Sequence, residues 1–227
     1  MIQLAEVAFG QACHNMSFDE DLLNKGEPVL RVYPWGQPGV TYAYRQALFS
    51  DLGQLDHAKR ITGGGIVFHC PDDLVFSIVL PVEVLAHFGK GRLSDFLFQL
   101  KSIIGEAVAG TGVLLESQAK PSYRTTDFCI GYESPYEWCR GHQKVMGIAV
   151  RRKKIHVLVQ GILYLQPTAH WFSSFSEYRA FFTEGMGVTY TTVAPYFIQH
   201  LFDWLTLGSS ALLPAKPSGK ETFHGLS

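Results

Sequence analysis

Apolar and polar positions follow two periods along this chain, and the changes of period mark its elements. Leu97, Leu100, Ile103, Ile104 and Val108 recur at helical spacing, which predicts a helix over 94–109 that ends at Gly110. Acidic residues followed by leucines in Met16–Leu23 predict another, capped by Asn15 or Ser17 and stopped at Gly26-Glu27-Pro28. Two-residue alternation rich in β-branched and aromatic side chains predicts strands at 29–33 and 40–44, parted by Pro34, Gly36, Pro38 and Gly39. The segments 66–69 and 74–80 flank Pro71-Asp72-Asp73 and read as a hairpin. Further strands are expected at 113–115, 144–150 and 157–165, the last interrupted by Gly161. Helices are expected at 172–182 and 192–204, the second ending at Gly208. Paired strands with intervening helices, without strict βαβ alternation, predict an α+β fold with a mixed, largely antiparallel sheet flanked by helices. One domain is expected over 1–210. Residues 211–227 hold Pro, Ser, Gly and Lys with little to bury, and are expected as a flexible tail.

Composition narrows the classes. The 227 residues are 47% apolar and 13% aromatic against 17% charged, enough for a substantial core and incompatible with disorder over most of the length. Nineteen basic and 20 acidic residues give a net charge of −1, which argues against coating nucleic acid by phosphate neutralisation. Gly, Pro or charge interrupts every apolar run before the roughly 18 to 20 residues that cross a bilayer, so no membrane span is expected. The start, MIQLAEVAFGQACHN, lacks a basic segment and carries Glu6 in its apolar stretch, unlike a secretory signal; a cytoplasmic protein is expected. Cys13, Cys70, Cys129 and Cys139 are isolated, without the CxxC spacing of a zinc site.

Two segments carry candidate chemistry. In Arg60-Ile61-Thr62-Gly63-Gly64-Gly65-Ile66-Val67-Phe68-His69, three glycines remove every Cβ and let backbone N–H groups approach an anion closely. Arg60 and Thr62 add a charge and a hydroxyl. No GK[ST] follows, so this is not a P-loop, and the residues after it are strand-like, so it is not a dinucleotide loop. By itself the same pattern also serves as a flexible turn between strands. The second segment is Gln143-Lys144-Val145-Met146-Gly147-Ile148-Ala149-Val150-Arg151. In an unbroken strand Lys144 and Met146 share one face, while Val145, Gly147 and Ala149 share the other. Arg140, Lys144, Arg151, Arg152, Lys153 and Lys154 place six of the 19 basic residues within 15 positions. They form either a solvated hairpin end or an anion-facing lysine with a basic rim for an acidic partner.

Together these segments resemble the lipoate-protein ligase A and octanoyltransferase superfamily, whose catalytic fold is shared with biotin protein ligases. The pattern R-x-[ST]-G-G-G-x-V-x-H is met by Arg60, Thr62, Gly63, Gly64, Gly65, Val67 and His69. The pattern G-x-K-[VI]-x-G-x-A-x-R is met from His142, standing in place of Gly, through Lys144, Gly147 and Ala149 to Arg151. The resemblance covers roughly residues 10 to 200. It implies that the glycine loop surrounds an acyl-adenylate and that Lys144 contacts the acyl carbonyl and phosphate, stabilising charge that develops there. It further implies Arg60 and Arg151 as secondary anion contacts, Gly65, Val67 and Ala149 along the acyl slot, and Asp127 near ATP and Mg²⁺.

The resemblance allows two chemistries. In the favoured one, ATP and lipoate give lipoyl-AMP, and the lipoyl group passes to a lysine of a lipoyl domain, in an E2 subunit of a 2-oxoacid dehydrogenase or the glycine cleavage H protein. The uninterrupted glycine triplet resembles ligases. The alternative is octanoyl or lipoyl transfer through a thioester on Cys129. Cys129-Ile130-Gly131-Tyr132-Glu133-Ser134-Pro135-Tyr136-Glu137 resembles C-F-x-x-P-S-x-Y-E of the cysteine transferases, with Lys144 15 residues beyond Cys129. A thiolate beside cations is a competent nucleophile. A non-catalytic acyl- or nucleotide-binding protein is the third reading. Gln160 stands where many members carry His. The accessory domain of longer ligases is expected to be missing, so that for ligation either a separate accessory subunit supplies it or the first half-reaction is slow.

Overall fold

The computed structural model describes residues 1–5, 10–117, 126–132, 134–141 and 143–210. In chain order the elements are β1 (Gln3–Leu4), α1 (Ala12–Lys25), β2 (Val29–Pro34), β3 (Gly39–Tyr42), β4 (Asp56–Lys59), β5 (Val67–His69) and β6 (Leu74–Pro81). They continue as α2 (Leu93–Ala109), β7 (Cys139–Arg140), β8 (Gln143–Lys144), β9 (Met146–Arg152), β10 (His156–Leu163), α3 (Thr168–Trp171) and α4 (Tyr190–Ser210). A five-stranded sheet runs β1-β2-β6-β10-β9, antiparallel except between β1 and β2. A second sheet of three strands runs β4-β3-β5, with β3 and β4 parallel. The α+β class and the mixed, largely antiparallel sheet expected from the pattern are therefore observed. Among the described residues no helix is long and apolar enough to cross a membrane.

The larger sheet is buried on both faces, and its alternation sorts them. Leu30, Val32, Phe76, Ile78, Leu80, Val157 and Val159 face α2 and α4, where Phe96, Leu100, Ile104, Phe197, Leu201 and Leu205 complete the main core. The opposite face carries a polar row in register: Arg31 opposite Ser77, Ser77 opposite Gln160, Gln160 opposite Ala149. Helix α1 lies on this row. Asp19 Oδ1 accepts from Arg31 Nη1 at 2.9 Å, while Oδ2 accepts from Ser77 Oγ at 2.6 Å and Gln160 Nε2 at 2.7 Å. A buried carboxylate is tolerable only with this degree of satisfaction.

Several expected boundaries move. Helix α1 starts at Ala12, upstream of Asn15 and Ser17, because the first turn is capped from another strand: Asp56 Oδ2 accepts the Ala12 N–H at 2.8 Å. Asn15 is an interior helix residue whose side chain accepts from Arg31. The C-terminus falls at Gly26, φ +72°, as the glycine predicts. Strands β5 and β6 do not form a hairpin; β5 pairs with β3, whereas β6 pairs with β2 and β10. The turn between them carries the chain from one sheet to the other, with Asp72 at φ +66° and Asp73 accepting from the N–H groups of Cys70 and Leu165.

Residues 113–115 are not a strand: Leu114 is 82% exposed, and the segment finds a partner only at Glu116, which bridges to Cys139. The expected 144–150 strand breaks at Val145, whose N–H goes to Trp138 and whose carbonyl accepts from Tyr164. In place of the expected helix at 172–182, α3 ends at Trp171 and a short 3₁₀ turn covers Ser176–Phe181, since Phe172, Phe181 and Phe182 pack around Phe68 and Phe128 rather than along one stripe. Helix α4 runs beyond Trp204 and through Gly208, where the Phe88 ring leaves no room for a Cβ. The expected tail at 211–227, Glu6, Glu133, His142 and most of the polar stretch before Asp127 lie outside the described residues.

Candidate active site

The two sheets meet over a slot, and the glycine loop forms its rim. Arg60 follows β4 and turns inward. Its Nη1 donates to Thr41 Oγ1 at 2.7 Å, and its Nη2 donates to the carbonyls of Gly65 at 2.7 Å and Gly63 at 3.3 Å. The guanidinium therefore braces the loop from inside, and burial pulls it below its ordinary pKa while Cys129 and Tyr164 oppose the fall. Gly64 has φ +95°, a conformation side chains avoid. Gly65 is needed for proximity: a Cβ there would lie 2.6 Å from the Asp127 carbonyl and 2.7 Å from the Cys129 nitrogen. That contact lets Ile66 exchange backbone hydrogen bonds with Asp127 and Cys129, which seats Cys129 against the loop. Gly63 faces no atom within 4 Å.

Cys129 opens a 3₁₀ turn, and its Sγ would lie 3.3 Å from a Cβ on Gly147, so that glycine leaves room for the sulfur. Lys144 reaches the same point from β8. Its Nζ donates to the carbonyls of Cys129 and Tyr132, both at 2.8 Å, and pairs with Glu137 Oε1 at 2.9 Å; Cys129 Sγ is 3.5 Å away. Burial pulls the ammonium down, but Cys129 and Glu137 together carry its pKa above the ordinary lysine value. Because the strand breaks at Val145, Lys144 and Gly147 address the same cleft, contrary to the faces expected from unbroken alternation.

Cys129 stands between two spaces. On one side is an apolar slot of about 40 Å³, lined by Met16, Val67, Val75, Gly147, Ala149 and Ile162, with Arg60, His69 and Gln160 as polar members. On the other is an outer cavity bordered by Leu97, Tyr132, Ser134, Tyr136, Glu137 and Lys144. His69 stacks on Trp35 with centroids 3.9 Å apart. Burial, then Arg60, holds His69 well below its ordinary pKa, so it is neutral. Thr41 Oγ1, which accepts from Arg60, also lies 2.8 Å from His69 Nε2, so the three side chains are linked through one hydroxyl.

Residues 11–188 match the lipoyl protein ligase A/B catalytic domain. The chain belongs to this family. Octanoyltransferase LipM of Moorella thermoacetica is 30% identical over 165 residues, 66% of this chain and 60% of that protein. LipM of Carboxydothermus hydrogenoformans is 30% identical over 169 residues, 67% of this chain and 60% of that protein. The chain thus spans 60% of the length of these curated relatives. Among solved structures, protein Ta0514 of T. acidophilum with bound lipoic acid superposes with a TM-score of 0.65 at 18% identity, covering 90% of this chain and 86% of that one. Lipoate-protein ligase A bound with ATP gives 0.61 at 17% identity, covering 90% and 83%. These structures share the fold.

Within this family member, the residues expected at the site divide into two groups. Cys129, Arg60, Val67, His69, Gly147 and Ala149 line the slot, Lys144 borders the outer cavity beside Cys129, and Gly65 acts through its contact with residues 127–129. Thr62 does not reach the slot; its hydroxyl is spent on Gln160 Oε1 at 2.7 Å. Arg151 lies at the rim with its guanidinium 4.9 Å from the Tyr44 ring. Asp127 is exposed, with its backbone carbonyl and Oδ1 accepting from Gln46. Gly64 and Asp127 border a further cavity with Arg45, Gln46, Leu48, Phe49 and Tyr132, and Gly64 and Tyr132 border the outer cavity as well. Among the described residues no three metal-ligating side chains gather, so Mg²⁺ at Asp127 would have a single carboxylate from the chain. Sequence reasoning gave no role to Glu137 or Asp19. Glu137 closes the segment that begins at Cys129, which was its available signal; Asp19 offered none beyond its place in an acidic helix.

Proposed function

We propose that the chain catalyses octanoyl or lipoyl transfer to a lysine of a lipoyl domain through a thioester on Cys129. The observation that carries this is the Cys129 sulfur 3.5 Å from the Lys144 amine at the junction of an apolar slot and an outer cavity. The acyl chain enters the slot. The Cys129 thiolate attacks the carbonyl of a carrier thioester, a new S–C bond forms, and the donor thiolate leaves. The acceptor amine then attacks the enzyme thioester from the outer side; the amide C–N bond forms, Cys129 leaves as thiolate, and the amine proton passes to solvent. The Lys144 ammonium stabilises negative charge on sulfur and on the carbonyl oxygen in both steps. The relatives named octanoyltransferase support this reading. Acceptors would be E2 subunits or the glycine cleavage H protein.

ATP-dependent lipoate ligation is the second reading, favoured by the unbroken Gly63-Gly64-Gly65 and the cavity beside Gly64 and Asp127. Lys144 would then contact the acyl carbonyl and phosphate, Arg151 would meet anions at the rim, ATP with Mg²⁺ would bind near Asp127, and an accessory subunit would complete the system. A bi-partite lipoate protein ligase with its E2 lipoyl domain from Thermoplasma acidophilum has the same fold.

Intact mass of the protein and an apo-lipoyl domain, given octanoyl carrier without ATP or lipoate with ATP, separates the readings. Transfer predicts an octanoyl adduct on Cys129 without ATP, lost in Cys129→Ser. ATP-dependent modification that survives Cys129→Ser overturns it in favour of ligation. No modification under either condition leaves acyl or nucleotide binding.

A further inference from the structure

Glu137 is the one buried carboxylate within reach of the Cys129–Lys144 pair among the described residues. It is also firmly held. Oε1 accepts the Ile148 N–H at 3.2 Å as well as pairing with Lys144, and Oε2 accepts the Ser134 N–H at 3.1 Å. Ile148 belongs to β9, the outermost strand of the larger sheet, so this carboxylate ties the chain leading out of the Cys129 turn to the sheet edge. Four acceptors surround the three N–H groups of Lys144: Glu137, the carbonyls of Cys129 and Tyr132, and Cys129 Sγ.

We propose that Glu137 is the positioning residue of the Cys129–Lys144 pair: it keeps the amine protonated and aimed, so that Lys144 works as a fixed cation and not as a base. This rests on the transfer reading above. An ammonium with 3% side-chain exposure has lost its water and is stable only against a counter-charge. Without one the neutral amine beside a neutral thiol is the stable state, so neither the ammonium nor the thiolate is in place when the carbonyl is attacked. The other titratable groups facing this point are Cys129 on its turn, Cys139 opposite Lys144 on β7, Tyr164 after β10, Arg60 from the glycine loop and, on the far side of Glu137, Lys101 of α2. None of these supplies a carboxylate.

Two measurements test the proposal. In the first, octanoylation of Cys129 is followed by intact mass from pH 7 to 11.5 in wild type, Glu137→Gln and Glu137→Asp. Glu137→Gln is expected to lower the maximal rate about tenfold or more with KM within about twofold, and to move the alkaline limb toward neutrality by about one pH unit, with Glu137→Asp between it and wild type. A loss uniform across pH with the limb unmoved overturns the proposal, as does a wild-type profile in Glu137→Gln. In the second, pH-dependent acetylation of Lys144 by trace acetic anhydride, read by peptide mass, reports the amine without any octanoyl donor. Its midpoint is expected to fall in Glu137→Gln, and an unchanged midpoint overturns the proposal. If wild type forms no Cys129 adduct, the transfer reading fails, whereas the Lys144 midpoint still decides the pairing.

Discussion

The two sheets that bound the slot are built differently. The larger is held by long ladders, such as the eight-residue register between β10 and β6, and by an apolar face against α2 and α4. The smaller has short ladders and is held by side chains reaching into backbone: Arg60 on the glycine-loop carbonyls, an aromatic cluster around Phe68 and Phe128, and Gly65 in contact with residues 127–129. A ladder with a packed face tolerates loss of one contact because its neighbours persist. A loop braced by a single guanidinium does not. Stability should therefore be concentrated in the larger sheet, and site geometry in the smaller one.

Matched glycine substitutions break or sharpen that contrast. Gly208→Ala puts a Cβ against the Phe88 ring in the main core, away from the slot, and should cost about 3 kcal/mol by denaturant melts while the folded fraction keeps near-normal turnover. Gly65→Ala meets backbone instead, 2.6 Å from the Asp127 carbonyl. It should cost about 2 kcal/mol but reduce acyl transfer about a hundredfold, because the bridge that seats Cys129 must open. Equal ratios of activity loss to stability loss in the two variants would sink the contrast.

The seam between the sheets should respond to pH. Burial pushes the Asp73 carboxyl up to about 7 against the pull of its N–H donors. Raised above its unfolded value, it takes up a proton on folding, so its favourable contribution is full at acid pH and is lost as pH rises through about 7. The thermal midpoint of wild type should fall between pH 5 and 8 more steeply than that of Asp73→Asn; parallel slopes would show that Asp73 is not responsible. Smallest of all, Thr62→Val leaves Gln160 Oε1 without its donor and should cost about 1 kcal/mol, with a slight loss of activity, since Thr62 supports the loop from behind.

Legibility in the sequence followed the range of the interaction. Helix α2 and strands β2, β3, β6 and β10 were readable because burial of one face imposes a local period. The start of α1 was not, because its cap is Asp56, 44 residues away. The false hairpin at Pro71-Asp72-Asp73 had a turn's chemistry, but its flanking strands found better partners in different sheets. The glycine loop and Lys144 stood out through motif. That Thr62 turns to Gln160, that Arg60 points inward and that Glu137 pairs with Lys144 depended on strand register and on the break at Val145.

By itself, then, the sequence determined the class of fold, the family and the residues from which a site could be made, because side-chain period and backbone freedom at glycine are local properties. Only the tertiary structure decided that Cys129 and Lys144 meet between two spaces and that Glu137 pairs with the amine. Those are relations among charges in a desolvated space, and a charge acquires its strength from what surrounds it after folding.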